Sequence, residues 1–174
     1  MINQQYIRSI KLHNEKQGLE SYVAKLSILK DLENIEMSKP VTFFVGENGT
    51  GKSTLLEAIA VGYGFNAEGG TKNFSFSSQA THSNLHQYIT VVKGVKRPKD
   101  GFFLRAESFY NVASEVDRLD REGPSSLVDS YGGKSLHEQS HGESFLSLVL
   151  NRFHGDGIYI LDEPEAALSP SRQM

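Results

Sequence analysis

The chain has 174 residues, 38% of them apolar and 22% charged, with 16 Gly, no Cys and a formal charge of −3. That length fits one domain able to bury roughly 70% of its unfolded surface. The lack of Cys excludes disulfides, thiolate metal sites and cysteine nucleophiles, and the small net charge gives no global electrostatic reason to seek nucleic acid. The first ten residues hold no apolar core of signal-peptide length, and no apolar run approaches the ~20 residues of a membrane helix. The expectation is one domain over residues 1–174, cytoplasmic and without membrane insertion.

Tyr6–Leu12 alternates apolar and polar residues and predicts a half-buried strand; Tyr22–Ile28 alternates less cleanly and predicts a partner for it. Val41-Thr-Phe-Phe-Val45, a continuous β-rich run between Pro40 and Gly46, predicts a strand buried on both faces. From Lys52 to Val61 the spacing turns helical, with Leu55, Leu56, Ile59 and Ala60 on one side, until Gly62 and Gly64. Residues 64–86, rich in Gly, Ser, Asn and Thr, predict a long surface loop.

Tyr88–Val92 and Phe102–Ala106 predict strands. Lys93, Lys96, Arg97 and Lys99 between them read as a solvated hairpin loop rather than a phosphate-backbone contact. Phe109, Val112, Val116 and Leu119 keep helical spacing, and Arg121–Lys134, with its Gly-Pro and Gly-Gly pairs, predicts a flexible segment. Ser140-His-Gly-Glu143 has the form of a capping box, in which hydroxyl and carboxylate each satisfy the other residue's amide. The helix it opens carries Phe145, Leu148 and Phe153 on one face and closes near Gly155. Ile158–Leu161 predicts a last buried strand, ending in Asp162-Glu163.

Two of these segments carry chemistry. Gly46-Glu47-Asn48-Gly49-Thr50-Gly51-Lys52-Ser53-Thr54 contains the full phosphate-loop pattern between a β-rich run and a helical one. Glycines let backbone N–H groups converge on phosphate oxygens, and the helix N-terminus adds its positive end. Lys52 then reaches the β- and γ-phosphates, and the Ser53 hydroxyl is a ligand for Mg²⁺. A strand ending in two acids puts them at the nucleotide rim, with Asp162 for Mg²⁺ and Glu163 to polarise the attacking water. His82, His86, His137 and His141 lack metal-ligand spacing, and no zinc site is expected.

Together with Leu161-Asp-Glu-Pro-Glu-Ala-Ala-Leu168, the Gly46–Thr54 stretch resembles the ATP-binding-cassette (ABC-type) P-loop ATPases, most of all their soluble AAA-family or recombination-repair-type branch. The resemblance implies that Gly46, Glu47, Asn48, Gly49, Thr50, Gly51, Lys52, Ser53 and Thr54 bind the nucleotide. Glu163 and Lys52 would be catalytic, and Ser53, Asp162 and Glu107 would serve Mg²⁺. Glu107 stands in the place of the family's Q-loop glutamine, with Gln79 and Gln87 as alternatives, and Tyr22 is the first candidate to stack on adenine. Ser140, Gly142 and Glu143 occupy the signature position facing the nucleotide of a partner subunit, with His141 and Glu143 departing from the usual Leu-Ser-Gly-Gly-Gln. Ala166-Ala167-Leu168 with Ser169 takes the D-loop position.

The implied fold is α/β: a mostly parallel P-loop sheet, an antiparallel N-terminal β layer and a small helical insert over roughly 108–140. The implied function is Mg²⁺-dependent ATP hydrolysis in a head-to-tail homodimer that sandwiches two nucleotides, coupled to an effector protein or a nucleic-acid process. The alternatives are the ATPase subunit of a membrane transporter and an ATP-binding module with little hydrolysis. The chain stops 12 residues past Asp162, short of the further strand and switch histidine that the family supplies. Weak hydrolysis and self-association through an open sheet edge are therefore expected of these 174 residues alone.

Overall fold

The computed structural model describes residues 5–13, 18–20, 22–30, 32–74, 82–123 and 126–167. It is α/β and divides into two compact units, residues 1–67 with 81–98 and residues 68–80 with 99–174.

The first unit holds a three-stranded antiparallel sheet in the order β2-β1-β3, built from β1 (Ile7–Leu12), β2 (Asn34–Glu36) and β3 (Ile89–Lys93). Ile10 on β1, wholly buried, faces Ile35 on one side and Val91 on the other. Helix α1 (Lys52–Tyr63) buries Leu55, Ala58, Ile59, Ala60 and Tyr63 and packs on β3. It ends at Gly64, whose left-handed backbone (φ 113°) lets its N–H return to the carbonyls of Ala60 and Val61. The one acid on the buried side of α1, Glu57, is 3% exposed and accepts the Ser83 N–H at 2.9 Å. That bond gives a buried carboxylate the partner it needs and ties the segment before β3 to the helix.

Three expectations change here. Residues 22–28 form two 3₁₀ turns, Val23–Lys25 and Ser27–Leu29, not a strand. The partner of β1 is instead the short β2, which sequence patterning passes over. Val41–Val45 adopts no regular strand, and Val41, Phe43 and Val45 are 65%, 83% and 91% exposed. An apolar β-branched run favours extended backbone, but pairing comes from a partner elsewhere in the chain, and no described strand pairs with it.

The second unit pairs β4 (Asp100–Arg105) with β5 (Gly157–Asp162) in parallel, from Asp100 opposite Gly157 to Arg105 opposite Asp162. β3 and β4 are thus not a hairpin. Lys93 instead donates to the Tyr63 carbonyl (3.0 Å), the Lys96 ammonium lies over the Tyr6 ring, and Lys99 pairs with Asp156. Helices α2 (Phe109–Glu122) and α3 (His141–Arg152) share a core with β4 in which Phe102, Val116 and Leu148 are fully buried. Within 121–134, expected to be flexible, a 3₁₀ turn at Val128–Tyr131 buries the Tyr131 ring to 1% exposure against that core. A single aromatic contributes enough apolar area to order a Gly-rich segment.

At the start of the strand pair, Arg152 on α3 pairs with Asp100 (2.8 Å), and the Tyr159 hydroxyl donates to the other Asp100 oxygen (2.9 Å). Burial alone would raise the Asp100 carboxyl, but these bonds hold it below its ordinary value. Burial and the same carboxylate push the Tyr159 hydroxyl up to about 12. The network anchors the end of α3 to the base of β4 and so sets where the opposite end of α3 begins.

Candidate functional site

In the first unit, residues 46–54 form a loop that turns into α1. Two glycines make its path: Gly49 at φ 78° and Gly51 at φ 98° take the left-handed backbone that L side chains resist. Gly51 is the N-cap of α1 and also lies under close contact. A Cβ there would come within 2.9 Å of Leu26 Cδ1 and 3.0 Å of Ile28 Cγ2. The loop is held from the same side by backbone, since the Ile28 N–H donates to the Thr50 carbonyl (3.2 Å). Residues 22–28 curl into turns in which the amides of Lys25 and Leu26 return to the carbonyls of Tyr22 and Val23, while Leu26 and Ile28 lie beside Gly51.

Across the loop, the Lys52 ammonium donates to the carbonyls of Gly46 (2.7 Å) and Glu47 (2.8 Å), and the Thr50 hydroxyl donates to Glu47 O (2.9 Å). Lys52, Ser53 and Thr54 begin the helix half-buried, while Gly46, Glu47, Asn48 and Gly49 face solvent. An ammonium, a hydroxyl and the first amides of a twelve-residue helix are thereby gathered beside a turn made of glycine, a combination suited to an anion of high charge. Tyr22, 53% exposed, belongs to the same unit.

In the second unit, β4 and β5 end side by side. Asp162 closes β5 and is 5% exposed; Glu163 follows, exposed, in left-handed backbone at φ 51°. A non-glycine residue in that region is uncommon and costs of order 1–2 kcal/mol. The conformation turns the chain sharply, so that the Glu163 carbonyl accepts the Ala166 N–H. The turn Pro164–Ala167 packs on the turn Ala106–Ser108 after β4 and on α3. Glu107 sits in that second turn with its side chain 77% exposed, in an ion pair with Arg105 (3.2 Å).

Helix α3 starts with the expected capping box: the Glu143 carboxylate accepts the Ser140 N–H at 3.0 Å, and the Ser140 hydroxyl is turned to the same carboxylate. Gly142 is half-buried, and the His141 ring meets Phe109 edge-on. Glu107, Asp162, Glu163 and Ser140 are thus in one unit; Lys52 and Ser53 are in the other. Gln79 and residues 168–174 lie outside the described residues, and Gln87 closes a 3₁₀ turn of the first unit.

Ser53 in the first unit, and Asp162 and Glu107 in the second, are each oxygen donors, the chemistry that Mg²⁺ takes. Among the described residues no three His, Asp or Glu side chains converge to hold a metal. A cation held by one or two protein oxygens together with phosphate needs no such cluster. Sequence reasoning missed Arg105, although Arg-x-Glu at the end of a β-rich run could have drawn notice. It also missed Leu26 and Ile28, whose contact with Gly51 leaves no mark at their distance along the chain.

A family model described as an AAA domain matches residues 15–128. The ribose import ATP-binding protein RbsA of Chelativorans sp. (strain BNC1) is 27% identical over 170 residues, covering 88% of this chain and 32% of its own length. The DNA repair protein RAD50 of Drosophila melanogaster is 24% identical over 131 residues, 74% of this chain and 10% of its own. The chain therefore spans less than two thirds of either relative. No solved structure matches it. Among the described residues, no helix is long and apolar enough to cross a membrane.

Proposed function

From its membership of the AAA domain family, to which this chain belongs as an ABC-type P-loop ATPase, we propose that residues 1–174 act as one ATPase domain that binds Mg·ATP and cleaves its β–γ bond in a head-to-tail homodimer. The observation that carries this reading is the Gly46–Thr54 loop, with two left-handed glycines and the Lys52 ammonium drawn across it at the start of α1. On this reading the loop amides and Lys52 hold the β- and γ-phosphates, and Ser53 and Asp162 take Mg²⁺ with help from Glu107. Mg²⁺, when bound, neutralises charge on the phosphate oxygens. Glu163 accepts a proton from the attacking water, and its place in a strained turn at φ 51°, directly after the end of β5, supports that role.

Ser140 and Gly142 would present the start of α3 to the nucleotide of the second copy. The energy of the cycle would go to an effector protein or a nucleic-acid process. A transporter subunit is the second reading, favoured by the likeness to RbsA. Calorimetric titration with Mg·ATP, followed by phosphate release at rising protein concentration, tests the proposal. A chain that neither binds ATP nor is stabilised by it does not have this function.

A further inference from the structure

Of the nine Asn in the chain, Asn48 alone is followed by Gly. The pair forms an exposed turn in the 46–54 loop. The loop's hydrogen bonds run around this pair and not through it. Lys52 donates to the Gly46 and Glu47 carbonyls, the Thr50 hydroxyl to the Glu47 carbonyl, and the Ile28 N–H to the Thr50 carbonyl. Among the described residues, neither the Asn48 side-chain amide nor the Gly49 N–H has a protein hydrogen-bond partner. Nothing lies within 4 Å of the place a Gly49 Cβ would take, and φ 78° favours glycine there. An unshielded backbone amide thus adjoins an unheld carboxamide, and the path of the loop keeps glycine in that position.

Resting on the reading that this loop holds phosphate, we infer that Asn48-Gly49 is a self-modification site: the empty loop inactivates itself there, and bound nucleotide prevents it. The Gly49 nitrogen, on losing its proton to solvent base, attacks the carbonyl carbon of the Asn48 side chain. A C–N bond forms, the bond to the side-chain NH₂ breaks, and that group takes a proton from water and leaves as ammonia. Water then opens the cyclic imide, leaving aspartate or isoaspartate at position 48. Either product puts a negative charge at the turn where the phosphates sit, and like charges at that range repel strongly. Isoaspartate also lengthens the backbone of the loop. A phosphate oxygen on the Gly49 N–H holds that nitrogen away from the carboxamide, so the reaction belongs to the nucleotide-free chain.

The test incubates the full-length protein without nucleotide in mildly alkaline buffer and follows the peptide spanning residues 46–54 by mass spectrometry. Mg·ATP binding is measured on the same samples by calorimetry. Asn48 is expected to convert from amide to acid ahead of the other eight Asn, and faster as pH rises. ATP affinity should fall in step, by at least about tenfold in the converted chain. Saturating Mg·ATP should slow the conversion about tenfold or more, because only the unliganded fraction reacts. Asn48→Asp is expected to bind weakly from the start and to lose nothing further on incubation, while Asn48→Gln keeps its own starting affinity throughout. Conversion no faster than at the other Asn, conversion without loss of affinity, or conversion unslowed by Mg·ATP in a chain that binds it overturns the inference while the ATP reading stands. A freshly purified parent that binds no Mg·ATP overturns that reading and the protection with it.

Discussion

The ammonium of Lys52 donates to the carbonyl of Gly46 at 2.7 Å, closing the loop between them across six residues of chain. A cation satisfied by loop carbonyls can exchange them for phosphate oxygens without rebuilding the helix it stands on. Lys52→Ala is therefore expected to fold normally and to lose tight ATP binding. Thermal melting with and without Mg·ATP checks it; equal stabilisation of mutant and parent would place the phosphate elsewhere.

Glu163→Gln keeps the volume and the φ 51° turn while removing the base. Binding should survive and hydrolysis slow by ~10²–10⁴, the usual worth of a positioned general base. ATP should then accumulate in a dimer visible by light scattering. A rate within twofold of the parent would exclude Glu163 as the base.

Gly51→Ala tests the loop's shape. At φ 98° a side chain costs about 1–2 kcal/mol, and its Cβ meets Leu26 Cδ1 at 2.9 Å. ATP affinity is expected to drop at least tenfold, in proportion to that strain. Adding Leu26→Ala should relieve the contact but not the backbone, so stability recovers in part and affinity stays low. Parental affinity in Gly51→Ala would show that the loop tolerates another path.

Ser140 serves a capping box, so Ser140→Ala should cost about 1 kcal/mol in urea unfolding. If the start of α3 also meets a partner's nucleotide, the same change should weaken ATP-dependent dimerisation by more than the stability loss explains. Dimerisation at the parental ATP concentration would reduce Ser140 to its cap.

Asp100 gives a pH dependence. Its carboxyl lies below its ordinary value of 3.8 in the folded chain, because hydrogen bonds from Tyr159 and Arg152 outweigh the burial that would raise it. A depressed carboxyl stabilises the fold fully above that ordinary value and loses its contribution as pH falls through the folded one. Asp100→Asn should cost about 2–4 kcal/mol at neutral pH, since it leaves the Arg152 guanidinium without its counter-charge. The gap between mutant and parent should then narrow as pH falls below 3.8 and through the lowered folded value. A constant gap over that range would assign the loss to packing.

Local patterning alone determined α1, α2, α3, β1 and β5. The information for each lies within a few residues: Gly51 before Lys52, Ser140 three residues before Glu143, alternating side chains along Ile7–Leu12. The tertiary structure decided everything that depends on a distant partner. Residues 22–28 alternate like a strand, yet the Ile28 amide is taken by the Thr50 carbonyl and Leu26 and Ile28 lie beside Gly51. Residues 121–134 read as flexible until Tyr131 finds the core formed by β4, α2 and α3. Arg105 reads as an ordinary strand end until parallel pairing sets it opposite Asp162, 57 residues later. Hydrogen bonds within a turn of helix or a cap are written in neighbouring residues; strand pairing and burial depend on which distant segments meet, and only the folded chain brings those together.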